Sequence, residues 1–100
     1  MSFKRGQDVL IPCEIQPGAF RNENLITIEI EGQRLSGFVK ISYVKKETNG
    51  ATFVQARVIR VDTDGLWVNI PGSFFTVASG ETYLPPAWAT KYLLQPAVAY

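Results

Sequence analysis

Apolar and polar residues alternate along most of this chain, and a helical period is almost absent. Val9, Ile11, Cys13 and Ile15 fall on one face of a strand spanning Asp8 to Ile15. Pro12 lies inside that strand and cannot donate to a ladder, which predicts an edge or a kink there. Gln16-Pro17-Gly18-Ala19 reads as a turn, with Pro and Gly in type II positions. The next two strands, Asn24 to Glu31 and Arg34 to Tyr43, form a hairpin closed by Gly32-Gln33. The expected register sets Glu31 opposite Arg34, Ile30 opposite Leu35, Ile28 opposite Gly37 and Ile26 opposite Val39, so all inward pairs are apolar or glycine.

Lys45 to Gly50 is a polar loop ending in a turn-forming Asn-Gly. A long strand follows from Ala51 to Val61. Its apolar positions are Val54, Ala56 and Val58, then Ile59 and Val61, so the apolar face switches between Val58 and Ile59. A β-bulge produces that switch and bends the strand. After the turn Asp62 to Gly65, a strand from Leu66 to Ile70 turns Leu66, Val68 and Ile70 inward, and a four-residue loop sets Arg60 opposite Trp67 on the outside. Pro71-Gly72 ends it. Ile15 to Phe20 and Asn69 to Phe74 share a strand, Pro-Gly, small residue, Phe order, which reads as one turn chemistry used twice. Glu81 to Leu84 is a short strand. Pro85-Pro86 then favours one to two helical turns over 87–94, and the apolar tail 95–100 needs a surface to pack on.

These elements predict one all-β domain over 1–100: a small antiparallel barrel or strongly bent sheet of five to six strands with a short C-terminal helical turn. The strand lengths and hairpin order resemble SH3-like barrels in architecture alone, and the resemblance implies no function. The 100 residues are 46% apolar and 19% charged, enough for a single core and too apolar for a disordered chain. Net charge is +1, which removes any global pull towards nucleic acid or membrane. Residues 32–60 are the basic stretch, with Arg34, Lys40, Lys45, Lys46, Arg57 and Arg60 against Glu47. Cross-strand pairing accounts for these charges first, and a basic patch is the alternative. The opening MSFKRGQDVLIP lacks the apolar run of a signal peptide, and no stretch is long enough for a membrane helix. The expectation is a cytoplasmic protein with no membrane partner.

The chain has no histidine and one cysteine, which excludes Ser-His-Asp and Cys-His catalysis and a Cys/His zinc site. No glycine-rich phosphate or dinucleotide motif is present, so no cofactor is expected. Cys13 reads as a buried small apolar residue. Glu29 and Glu31, two apart on one strand, read as a solvated face rather than a catalytic pair. Asp62-x-Asp64-Gly65 fails as a calcium loop because position 12 is Ser73.

Aromatic and basic side chains remain. Phe38, Arg57, Arg60 and Trp67 all fall on outward parities, as does Phe53. Exposed Trp and Arg are enriched at interfaces. The leading expectation is therefore a non-enzymatic binding or adaptor module using Phe38, Arg57, Arg60 and Trp67 against a protein partner. An equal claim on these rings comes from Trp88, Tyr92 and Leu93, which could cover them. A second reading is a structural homo-oligomer pairing through an edge strand or the 95–100 tail. A third is single-stranded nucleic-acid binding, since small barrels stack bases on such faces. An enzyme working through carboxylates is the least supported class.

Overall fold

A computed structural model describes residues 3–18, 21–63, 65–71, 73–74 and 81–93. Its strands are β1 (Asp8–Pro12), β2 (Glu14–Pro17), β3 (Glu23–Ile30), β4 (Gln33–Lys40), β5 (Val44–Lys46), β6 (Thr52–Asp62), β7 (Gly65–Asn69), β8 (Ser73–Phe74) and β9 (Glu81–Leu84). One helix, α1 (Pro86–Tyr92), follows β9. All pairings are antiparallel.

The strands form two sheets. In the first, β1, β6, β7 and β9 lie side by side, and β5 also pairs with β6. In the second the order is β2-β3-β4-β8. The all-β antiparallel class is present, but the expectation of a small barrel or one strongly bent sheet of five to six strands is corrected: among the described residues there are nine strand segments in two sheets, without barrel closure. Strands that looked continuous divide. The first splits at Cys13, whose N–H still donates to Thr52 O at 3.1 Å before the chain leaves one sheet for the other; Pro12, one residue earlier, has no N–H to offer on the open edge of β1. The third stops at Lys40 and makes one 3-10 turn over Ile41–Tyr43. Part of the expected 45–50 loop is strand β5, and the turn beyond it is closed by Glu47 N–H donating to Ala51 O at 2.8 Å.

The inward positions of both sheets meet in one core. Val9, Ile11, Ile26, Ile28, Val39, Val54, Val58, Val68 and Ile70 are almost fully buried, with Trp88, Ala89 and Leu93 from the helical segment. Pro86 stands in the first helical turn, where its missing N–H and fixed φ cost nothing. Five expected inward side chains depart from the pattern, Ile15 and Leu35 being only half-buried. Cys13 and Ile59 are half-buried, and Val61 is 46% exposed near the end of its strand. Two outward ones, Leu10 and Phe53, are buried instead.

The hairpin β3–β4 keeps its faces but not its register. Ile30 pairs with Gln33, Ile28 with Leu35 and Ile26 with Gly37, so the turn is Glu31-Gly32 rather than Gly32-Gln33. Both turn residues have positive φ, 49° and 83°, as a type I′ turn requires. This register is two residues from the expected one, and a two-residue shift moves no side chain to the opposite face. It places Thr27 beside Ser36, where the hydroxyls share a 3.0 Å hydrogen bond. Arg34 faces Glu29 and pairs with Glu14 at 3.5 Å, not with Glu31.

The β6–β7 register shifts between Val58 and Arg60, which is the expected bulge at Ile59, and Arg60 stands opposite Trp67. The short strand 81–84 and the proline-led helix are also present. Ala19, Phe20, Asp64, Gly72 and the 95–100 tail lie outside the described residues, so the turn at Ala19, the 62–65 and 71–72 turns in full, the repeated Pro-Gly-Phe order and the packing of the tail are not covered. No described helix is long and apolar enough to cross a membrane.

Candidate aromatic and arginine face

Three adjacent strands build this site from one rung each. The bulge at Ile59 turns Arg60 to the outer face of the first sheet, opposite Trp67 of β7, and β9 sets Tyr83 on the far side of Trp67. Cross-strand neighbours stand close enough for their side chains to touch. The Arg60 guanidinium lies 5.0 Å from the centre of the Trp67 ring, within cation–π range. The Trp67 and Tyr83 rings are 5.4 Å apart and tilted by 56°, a favourable aromatic geometry. Arg60 Nε also meets Asp62 Oδ2 at 3.2 Å, so the guanidinium is held from two sides. Trp67 is half-buried, while Arg60 and Tyr83 are exposed.

Gly65 permits this docking. Its φ is +155°, and a Cβ there would lie 2.5 Å from the Leu84 carbonyl oxygen and 2.8 Å from the Tyr83 hydroxyl. No other residue lets β9 come this close to the start of β7.

The four expected site residues do not all meet. Arg60 and Trp67 touch. Arg57 lies on the same face, two positions along β7 from Trp67, opposite Asn69, and its Nε pairs with Asp8 Oδ1 at 3.4 Å. Phe38 is on the other sheet, half-buried beside Leu25. Phe53, expected outside, is 8% exposed. Tyr83 joins the site though the sequence does not single it out. Its parity within Glu81–Leu84 was available, but nothing in the sequence named β7 as that strand's neighbour.

The buried residues of the helical segment, Trp88, Ala89 and Leu93, belong to the core cluster with Leu66, Val68 and Leu84. They enter the interior instead of lying over Trp67. Tyr92 remains exposed, with Trp88 beside it at 5.3 Å and Lys91 over its ring at 5.3 Å.

Cys13 is half-buried where the chain changes sheets. Burial pushes its thiol up to about 11, opposed in part by a hydrogen bond with Thr52. A thiol so placed stays protonated at neutral pH and is a poor nucleophile. The Thr52 hydroxyl donates to the Cys13 carbonyl and fixes the crossing. Glu29 and Glu31 do not share a strand face, because Glu31 is a turn residue. Among the described residues no three His, Cys, Asp or Glu side chains gather as a metal site. No protein-family model matches the chain, and neither the curated proteins nor the solved structures give a match.

Proposed function

We propose that this protein is a non-enzymatic binding module that grips a protein partner through the outer face of its first sheet, with Trp67 and Arg60 as anchors. The stack of Arg60, Trp67 and Tyr83 is the observation behind this reading. Large aromatic area is held half in water in a fixed arrangement, so little side-chain freedom is left to lose on binding. Trp, Tyr and Arg dominate binding energy where they are pre-positioned. Arg57 extends the same surface by one rung, and Phe38 belongs to a different one.

A protein partner fits better than single-stranded nucleic acid. Asp8 and Asp62 neutralise Arg57 and Arg60, and Glu81 stands one rung from Tyr83. Phosphate binding depends on uncompensated positive charge, and this face has little.

Acrylamide quenching of the Trp88→Phe protein isolates Trp67. The expected result is red-shifted emission and ready quenching, a Trp67→Ala variant that unfolds within a few degrees of the parent, and loss of the partner captured by the parent. Blue-shifted, protected emission from the monomer would sink the reading, because Trp67 would then be covered from within.

A further inference from the structure

We propose that the groove beside β9 takes a short, basic, extended peptide segment as an added strand on that edge of the first sheet. The inference rests on the binding-module reading and names the partner's chemistry. The groove has a volume of about 450 Å³ and lies between the end of the β3–β4 hairpin and β9. Its apolar walls are Ile30, Leu35, Trp67 and Pro85, so it opens onto the aromatic face already described.

Three observations converge on it. First, β9 is the end strand of its sheet, paired to β7, and among the described residues no strand pairs with its other side. An edge of this kind is a template for strand addition, in which main-chain hydrogen bonds give affinity and side-chain pockets give selectivity. Second, Thr82 lines the groove, is 7% exposed, and its Oγ1 has no hydrogen-bond partner among the described residues. Buried hydroxyls are nearly always bonded, so this one has bonding capacity unused in the free protein. A change of rotamer turns it to a backbone group of an incoming strand. Third, Glu31 and Glu81 stand exposed on the rim, and no Lys or Arg is among the described residues that line the groove. Lys or Arg side chains alternating with apolar ones suit a rim of carboxylates above apolar walls. β9 has four residues and runs into Pro85-Pro86, so the added strand is short.

The probe is a dansylated Lys-Val-Lys-Val-Lys-Val peptide titrated into the full chain with Trp88→Phe, read by energy transfer from Trp67. It should bind about tenfold tighter than the Glu-Val counterpart, and the gap should narrow with salt. N-methylation of alternate backbone amides should abolish binding. Glu81→Gln should weaken it about threefold, by loss of one rim charge. Thr82→Val should weaken it about fivefold without lowering Tm, and Thr82→Ser should restore it, as expected for one lost hydrogen bond. If Thr82→Val fails to fold, the Ser variant and the N-methylated peptide still decide the matter.

Equal binding of the Glu-Val peptide, or binding indifferent to N-methylation, overturns the proposal. So does a concentration-dependent dimer whose formation excludes the peptide, since the edge is then used for self-pairing. No peptide binding with a readily quenched Trp67 overturns the groove alone and leaves the aromatic-face reading standing. A shielded Trp67 removes both.

Discussion

On the outside of the second sheet, polar side chains answer one another across the strands. Thr27 and Ser36 share a hydrogen bond, and Arg34 lies opposite Glu29 and reaches Glu14. The apolar pair on that face, Leu25 and Phe38, is directly cross-strand and half-buried. On the outside of the first sheet the corresponding positions hold Arg60, Trp67 and Tyr83, which stack but stay partly in water. The same pleat thus supports two kinds of surface. One joins polar side chains to each other across its strands. The other keeps aromatic area in reserve, which makes it the better place to look for a partner.

The comparison can be broken first at Gly65. A Cβ there meets the Leu84 carbonyl oxygen in a backbone conformation that L residues avoid, so Gly65→Ala should cost about 3 kcal/mol. Urea denaturation measures the loss, and Trp67 emission should shift as β9 moves away. The second sheet should respond less. Thr27→Ala removes one member of a half-buried hydroxyl pair and should cost about 1 kcal/mol, since Ser36 can turn to water. Trp67 emission should not change. If Thr27→Ala proves as damaging as Gly65→Ala, the two faces do not differ in the way described.

An effect silent at neutral pH concerns Cys13, where the sheets join. Its thiol is raised from 9.0 to about 11 by burial, so the unfolded chain releases its proton first as pH rises. The native state then holds more protons, and stability falls with rising pH. The contribution is intact below pH about 9 and is lost as pH passes about 11. Melting curves between those values should slope downward, and Cys13→Ala should flatten the slope. At neutral pH the native thiol should react with Ellman's reagent more slowly than in urea.

Local chemistry was legible wherever it acts within one strand or one turn. The parity switch between Val58 and Ile59 forecast the bulge, and Pro85-Pro86 forecast the helix. What parity cannot report is which strands become neighbours. It put Phe38 and Trp67 both outside, and they are, but on different sheets. It could not choose between hairpin registers two residues apart, because both bury the same side chains. It also treated outward as exposed. Leu10 and Phe53 break that equation because tertiary surroundings, not alternation, decide what covers an outward residue. Tyr83 and Thr82 were illegible as site residues for the same reason: their meaning depends on β7 and the hairpin end lying beside them.

The crossing at Cys13 has a consequence for how the chain assembles. β1 pairs with residues 53–57, while β2, almost continuous with it, pairs with residues 24–27. During synthesis β2 can find its partner early, but β1 must wait until more than half the chain has emerged. Contacts so distant in sequence slow folding, because the loop must close before the pairing rewards it. In that interval Val9, Leu10 and Ile11 form an apolar ribbon with no partner in its own sheet. Pro12 ends that ribbon with a residue that cannot donate a ladder hydrogen bond, which guards against pairing with another nascent chain. A proline just before the crossing thus protects the chain until β6 arrives.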